Sequence, residues 1–142
     1  MVQRLTRLPD WRARFAAEMD RQHHRAFAWG RHDCVLGLAG GSVKALTGVD
    51  LTLDWLGRYR SERGALRALR HAGFASLSEA LAAHLPQIHP DDADIGDLAV
   101  VASDGPLKAA LAVVDNSSLI VMTPNGHGRM PREGMLHAYK IG

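Results

Sequence analysis

Phe27-Ala28-Trp29-Gly30-Arg31-His32-Asp33-Cys34 puts the chain's only cysteine at a polar turn immediately before an apolar run. Val35, Leu36, Leu38, Ala39, Val43 and Leu46 then recur mostly at three- and four-residue intervals, the spacing of a buried helix, and Gly48 supplies its stop. Asp33 is the natural N-cap and Cys34 the first helical residue. A thiol there lies among unpaired backbone N–H groups at the positive end of the helix dipole, which favours the thiolate and is one way to make a nucleophile. The neighbouring Asp33 charge works against it. A lone cysteine is more often a small buried hydrophobe, so the position has two readings, nucleophile and packing residue.

With 142 residues and 46% hydrophobic content the chain suits one compact domain that needs no staples. Formal charge is +2, unevenly spread: 13 basic and 7 acidic residues in 1–70 give +6, while 4 and 8 in 71–142 give −4. The excess is nearly all arginine. Such a half can face nucleic acid, an anionic wall polymer or an acidic patch on a partner, or can be a solvated helical surface. One cysteine cannot form an internal disulfide. The start, Met1-Val2-Gln3-Arg4-Leu5, lacks the apolar core of a signal peptide, and no run approaches the ~18 apolar residues of a membrane span. Synthesis and first folding in a cytoplasm, without a membrane span, is the expectation.

Leu8, Trp11, Phe15 and Met19 behind Asp10 predict an amphipathic helix over residues 10 to 24 capped by Asp10. His23-His24 at its end diverge by about 100° on a helix and have no third ligand spaced to join them, so no metal site is expected. Asp50 to Tyr59, with Trp55 and Tyr59, reads as a packed connection. Ser61 to Ala72 predicts a short helix closed by Gly73, with Arg60, Arg63, Arg67 and Arg70 forming the densest basic stripe in the chain. Ser76-Leu77-Ser78-Glu79 fits a capping box and begins a helix that ends before Pro86. The acidic stretch Pro90–Asp94 separates a helical half, about 1–90, from a strand half, about 95–142. Asp97 to Ser103, Leu107 to Asp115 and Leu119 to Thr123 read as antiparallel strands, Pro124 to Gly134 as a loop, and Leu136 to Ile141 as a last edge strand. The class is α+β.

Trp29-Gly30, two variable residues, then Asp33-Cys34 opening a helix resembles the nucleophile motif of NlpC-like, papain-fold peptidoglycan peptidases, and especially an offshoot found among phage tail proteins. Thr47-Gly48-Val49-Asp50, the segment Tyr59 to Leu69, and Gly96-Asp97-Leu98 fall where that offshoot has them. The resemblance implies a single papain-like domain, a cysteine helix packed on a small antiparallel sheet, with Cys34 in the nucleophile position and no cofactor.

A cysteine nucleophile needs a base within hydrogen-bond reach and a group to orient that base. In the peptidases this sequence resembles, a histidine opens the second strand of the sheet and a polar residue on the next strand orients it. Here the second strand reads Leu107-Lys108-Ala109-Ala110-Leu111-Ala112-Val113-Val114, without histidine, and the next offers only Thr123. His32, two residues before Cys34, and His127, in the loop after the third strand, are the remaining base candidates beside Asp33; His137 begins the last strand without an identified partner. Loss of a general base costs on the order of 10²- to 10⁴-fold in rate. Two functions are therefore expected. One is a phage tail-tip component, carried in the virion, that keeps a peptidase-like fold and docks other tail proteins, the arginine-rich face being one interface. The alternative is an active cysteine endopeptidase that opens peptidoglycan during genome entry. A nucleic-acid-binding accessory rests on charge asymmetry alone, since neither interleaved surface aromatics nor a recognition helix is evident.

Overall fold

Side chains supply the acceptors that start the helices. Ser61 and Ser76, both in extended backbone, accept from the amides of Gly64 and Glu79 and open α3 (Glu62–His71) and α4 (Leu77–His84). Asp33 does the same for Val35 and Leu36. Asp10 occupies the cap position of α1 (Trp11–Gln22), yet its side chain makes no capping bond. The computed structural model describes residues 2–142.

The helix expected after Asp33 forms in two pieces. Cys34–Ala39 is π-helical, with the Leu38 amide reaching the Asp33 carbonyl, and it runs straight into α2 (Gly40–Thr47), which stops at Gly48. Gly37 lies within the widened turn. The His32 ring lies directly against it, and a Cβ there would collide with Nδ1. π-turns of this kind are rare and need a local cause.

Six strands form one antiparallel sheet in the order β1-β6-β2-β3-β4-β5: β1 (Gln87–Ile88), β2 (Leu98–Ala102), β3 (Ala109–Val114), β4 (Ser118–Thr123), β5 (Gly126–Pro131) and β6 (Met135–Tyr139). Two expectations need correction. The stretch read as a loop after Pro124 is largely β5, paired along β4 from Thr123↔Gly126 to Ser118↔Pro131. Backbone pairing at a sheet edge does not depend on apolar side chains, so a Gly-rich strand leaves no hydrophobic pattern. The last strand, β6, is interior, because β1 pairs with its outer side.

Alternation along the strands serves two cores. Leu98, Val100, Leu111, Val113 and Ile120 face the helices and pack with Phe15, Leu38, Val43, Leu46 and Leu69. On the reverse face, Ala99, Val101, Ala112, Val114 and Leu119 form a smaller cluster with Ala93 and Ala138. The Arg132 guanidinium, bonded to the Pro90 and Ala93 carbonyls, ties the connection before β2 to the turn before β6. The N-terminal arm is pinned at the sheet's end by Arg7, which donates to the carbonyls of Ile141 and Ile95 and pairs at 3.1 Å with the fully buried Asp97. Among the described residues no helix is long and apolar enough to cross a membrane.

Candidate active site

The turn before the thiol is built around Gly30. Its φ of +77° and its contact with the Tyr59 carbonyl, which a Cβ would strike, leave no room for a side chain. This close approach brings the Tyr59 hydroxyl to Asp33. The buried carboxylate accepts from four donors: Val35 N at 3.0 Å and Leu36 N at 2.8 Å on Oδ1, Gly30 N at 3.0 Å and Tyr59 Oη at 2.8 Å on Oδ2. Asp33 thus locks the turn, the helix start and the 50–60 connection together.

Cys34 follows with its thiol turned toward β3. Burial pushes the thiol up to about 12, the charges of Asp33 and Glu62 add to the rise, and backbone hydrogen bonds at Leu111 and at Cys34 itself oppose it. A cleft of about 350 Å³ opens beside it, bounded by Phe27, Trp29, Glu62, Ala109, Leu111 and Met122. Phe27 and Trp29 meet edge to face at 4.9 Å as one wall. Glu62 accepts from the Leu107 amide at 3.0 Å and so anchors the turn that leads into β3. At the strand positions where the resemblance calls for an imidazole, the cleft presents alanine and leucine. Thr123, the polar residue at the end of β4, donates its hydroxyl to the Gly126 carbonyl within the β4–β5 turn.

The two base candidates make their contacts with Gly37 and Gln22. His32 is 2% exposed, flat against Gly37, and its Nε2 has no hydrogen-bond partner. Burial lowers its pKa, the charges of Arg25 and Arg21 lower it further, and Asp33 and Glu18 oppose them. His127, on β5, places Nε2 3.2 Å from Gln22 Oε1, while Gln22 Nε2 donates to Glu18 and to the Gly37 carbonyl. Its pKa is lowered by burial and by His23, His32 and Arg129. Among the described residues neither imidazole lines the cleft beside Cys34. His137 instead lies near Gln87, Nδ1 to Nε2 3.3 Å. Among the described residues no group of three or more His, Cys, Asp or Glu side chains is placed to hold a metal ion. Sequence reasoning gave Tyr59 a packing role only; its hydroxyl contact with Asp33 joins residues 26 apart and has no local signature.

A cysteine at a helix start, packed on a six-stranded antiparallel sheet, defines the α+β fold of the NlpC/P60 type. A crystal structure described as similar to lipoprotein, NLP/P60 family, from Staphylococcus aureus subsp. aureus Mu50 matches over 99% of this chain with a TM-score of 0.58 at 14% identity. This chain spans 45% of that protein's length. The chain belongs to the family described as domain of unknown function DUF6950, which matches residues 6–141. No curated protein matches it.

Proposed function

We propose that the protein is a structural component of a phage tail tip that keeps a peptidase-like fold, docks neighbouring tail proteins, and has lost the peptidase chemistry. The carrying observation is the wall of the cleft beside Cys34, where β3 presents Ala109, Ala110 and Leu111, while the ring of His32 packs on Gly37 and His127 meets Gln22. A thiol held protonated by burial, without a base to take its proton, is a poor nucleophile at neutral pH. The place in a tail tip is supported by the Trp29-Gly30/Asp33-Cys34 motif and the segments that follow it in the order of the phage-associated offshoot, and by the exposed arginines of α3 as an interface. In this reading the protein is made in the bacterial cytoplasm and carried in the virion. Peptidoglycan would then be a neighbour of the assembly rather than a substrate.

Two measurements test the two halves. Purified sacculi incubated with the protein should release no muropeptides, whether residue 34 is cysteine or, in Cys34→Ala, alanine. Release by the wild type that Cys34→Ala abolishes would restore the endopeptidase reading. Co-expression with the other tail-tip proteins should give a stable complex on gel filtration, and a free monomer in their presence would remove the docking role.

A further inference from the structure

Between the 54–61 connection and α3 lies a groove of about 880 Å³, lined by Arg58, Arg60, Arg67, His71 and His84, with one carboxylate, Asp54. Arg63 and Arg70 extend the exposed stripe along α3. Among the described residues none of these five guanidiniums has an ion pair or a hydrogen-bond partner. Arg7, Arg14, Arg21, Arg129 and Arg132 all do. The groove's own fold thus leaves its cationic groups free for an external anion.

A second hollow shares its wall. Trp55, Tyr59 and His84 line both the groove and an apolar pocket of about 100 Å³, which reaches past Ala65, Ala80 and Leu81 toward Leu111. A cavity lined this way stays dry and takes an apolar group. The two hollows together ask for a ligand with several negative charges along an extended chain and one compact apolar group beside them. A long acyl chain exceeds the pocket. A nucleic acid brings the charge but offers only planar polar bases to an apolar hole.

We propose that this composite groove docks an acidic peptide segment of a partner protein, its carboxylates on the arginines and one aliphatic or aromatic side chain seated in the pocket. The inference rests on the docking function proposed above and names its surface. Charge would steer the encounter, and the buried anchor would set the lifetime.

The test is a titration of the full chain with a fluorescein-labelled peptide of glutamates around one central leucine, followed by anisotropy. Saturable binding is expected that weakens with salt and falls about tenfold or more when serine replaces the leucine. The double substitution Arg60→Glu, Arg67→Glu, at exposed positions, should weaken binding as much while leaving the melting temperature unchanged. Ala80→Leu, which fills the pocket, should erase the preference for leucine over serine; the serine peptide tests the same point on the unaltered protein. Equal affinity for the two peptides, indifference to the double substitution, tighter binding of a single-stranded oligonucleotide or of decanoate, or no binding up to about 1 mM would each overturn the proposal. A stable complex with tail proteins that survives Arg60→Glu, Arg67→Glu would overturn this surface and leave the docking function standing.

Discussion

Iodoacetamide added to the folded protein at pH 8 reads the state of Cys34 directly, because the thiolate is the species that alkylates. With the thiol pushed up to about 12, about one molecule in 10⁴ is ionised at that pH, against about a quarter for a free cysteine titrating near 8.5. Ionisation alone therefore slows the reaction by about 10³-fold. The residue's 6% exposure hinders the reagent further. Intact mass recorded over time, beside the same protein unfolded in urea, gives the comparison. The unfolded chain should be fully modified while the folded protein stays unchanged. A folded-state rate within about tenfold of the unfolded one, rising with a midpoint below pH 8, would show an activated thiol and refute the account of a buried, base-free cysteine.

Asp33→Ala removes the cap of the π segment, a loss of about 0.5–2 kcal/mol, and strands the buried donors at Gly30 and Tyr59, at about 1–3 kcal/mol each. Urea unfolding should show a total of about 2.5–8 kcal/mol, and a value under about 1 would mean those donors find other partners. Gly37→Ala drives a methyl into the His32 ring and should lower stability by about 2 kcal/mol or more, an effect that His32→Ala in the same molecule should largely relieve. Stability should also fall on acidification. His32 and His127 both have folded pKa values below the ordinary histidine value, so their contribution is full above about pH 6.5 and is lost below it, where the unfolded chain takes up protons that the folded one refuses. His32 alone then contributes a slope of up to about 1.4 kcal/mol per pH unit. Denaturation midpoints that stay flat between pH 7.5 and 5.5 would contradict this.

Local chemistry was the legible part of the fold. Ser61, Ser76 and Asp33 bond amides two or three residues away, and the helix starts they mark lie where the sequence puts them. What depends on distant partners was not. Arg7 reaches Asp97 across 90 positions, and nothing near either residue marks it as half of a buried pair. The π-turn lies where the His32 ring packs on Gly37, a tertiary contact that no propensity marks. At the candidate site, the cysteine position and the absence of histidine from β3 could be read directly. The meeting of His127 with Gln22 and the joint wall of Trp55, Tyr59 and His84 exist only in three dimensions.

Two opposing effects set the ionisation of Cys34. A helix N-terminus favours a thiolate by about 0.3–1 kcal/mol, and here the Val35 and Leu36 amides that would contribute already bond Asp33. Moving the thiol from 9.0 to about 12 corresponds to about 4 kcal/mol against the thiolate, several times the helix contribution and opposite in sign. Desolvation is the first cause of that rise, and the apolar faces of Ala109, Leu111 and Met122 beside the sulfur maintain it. Cysteine, a small and weakly polar side chain, suits such a core position. Ala109→His would therefore place a base on the cleft wall without producing the thiolate, because burial still disfavours the charged sulfur.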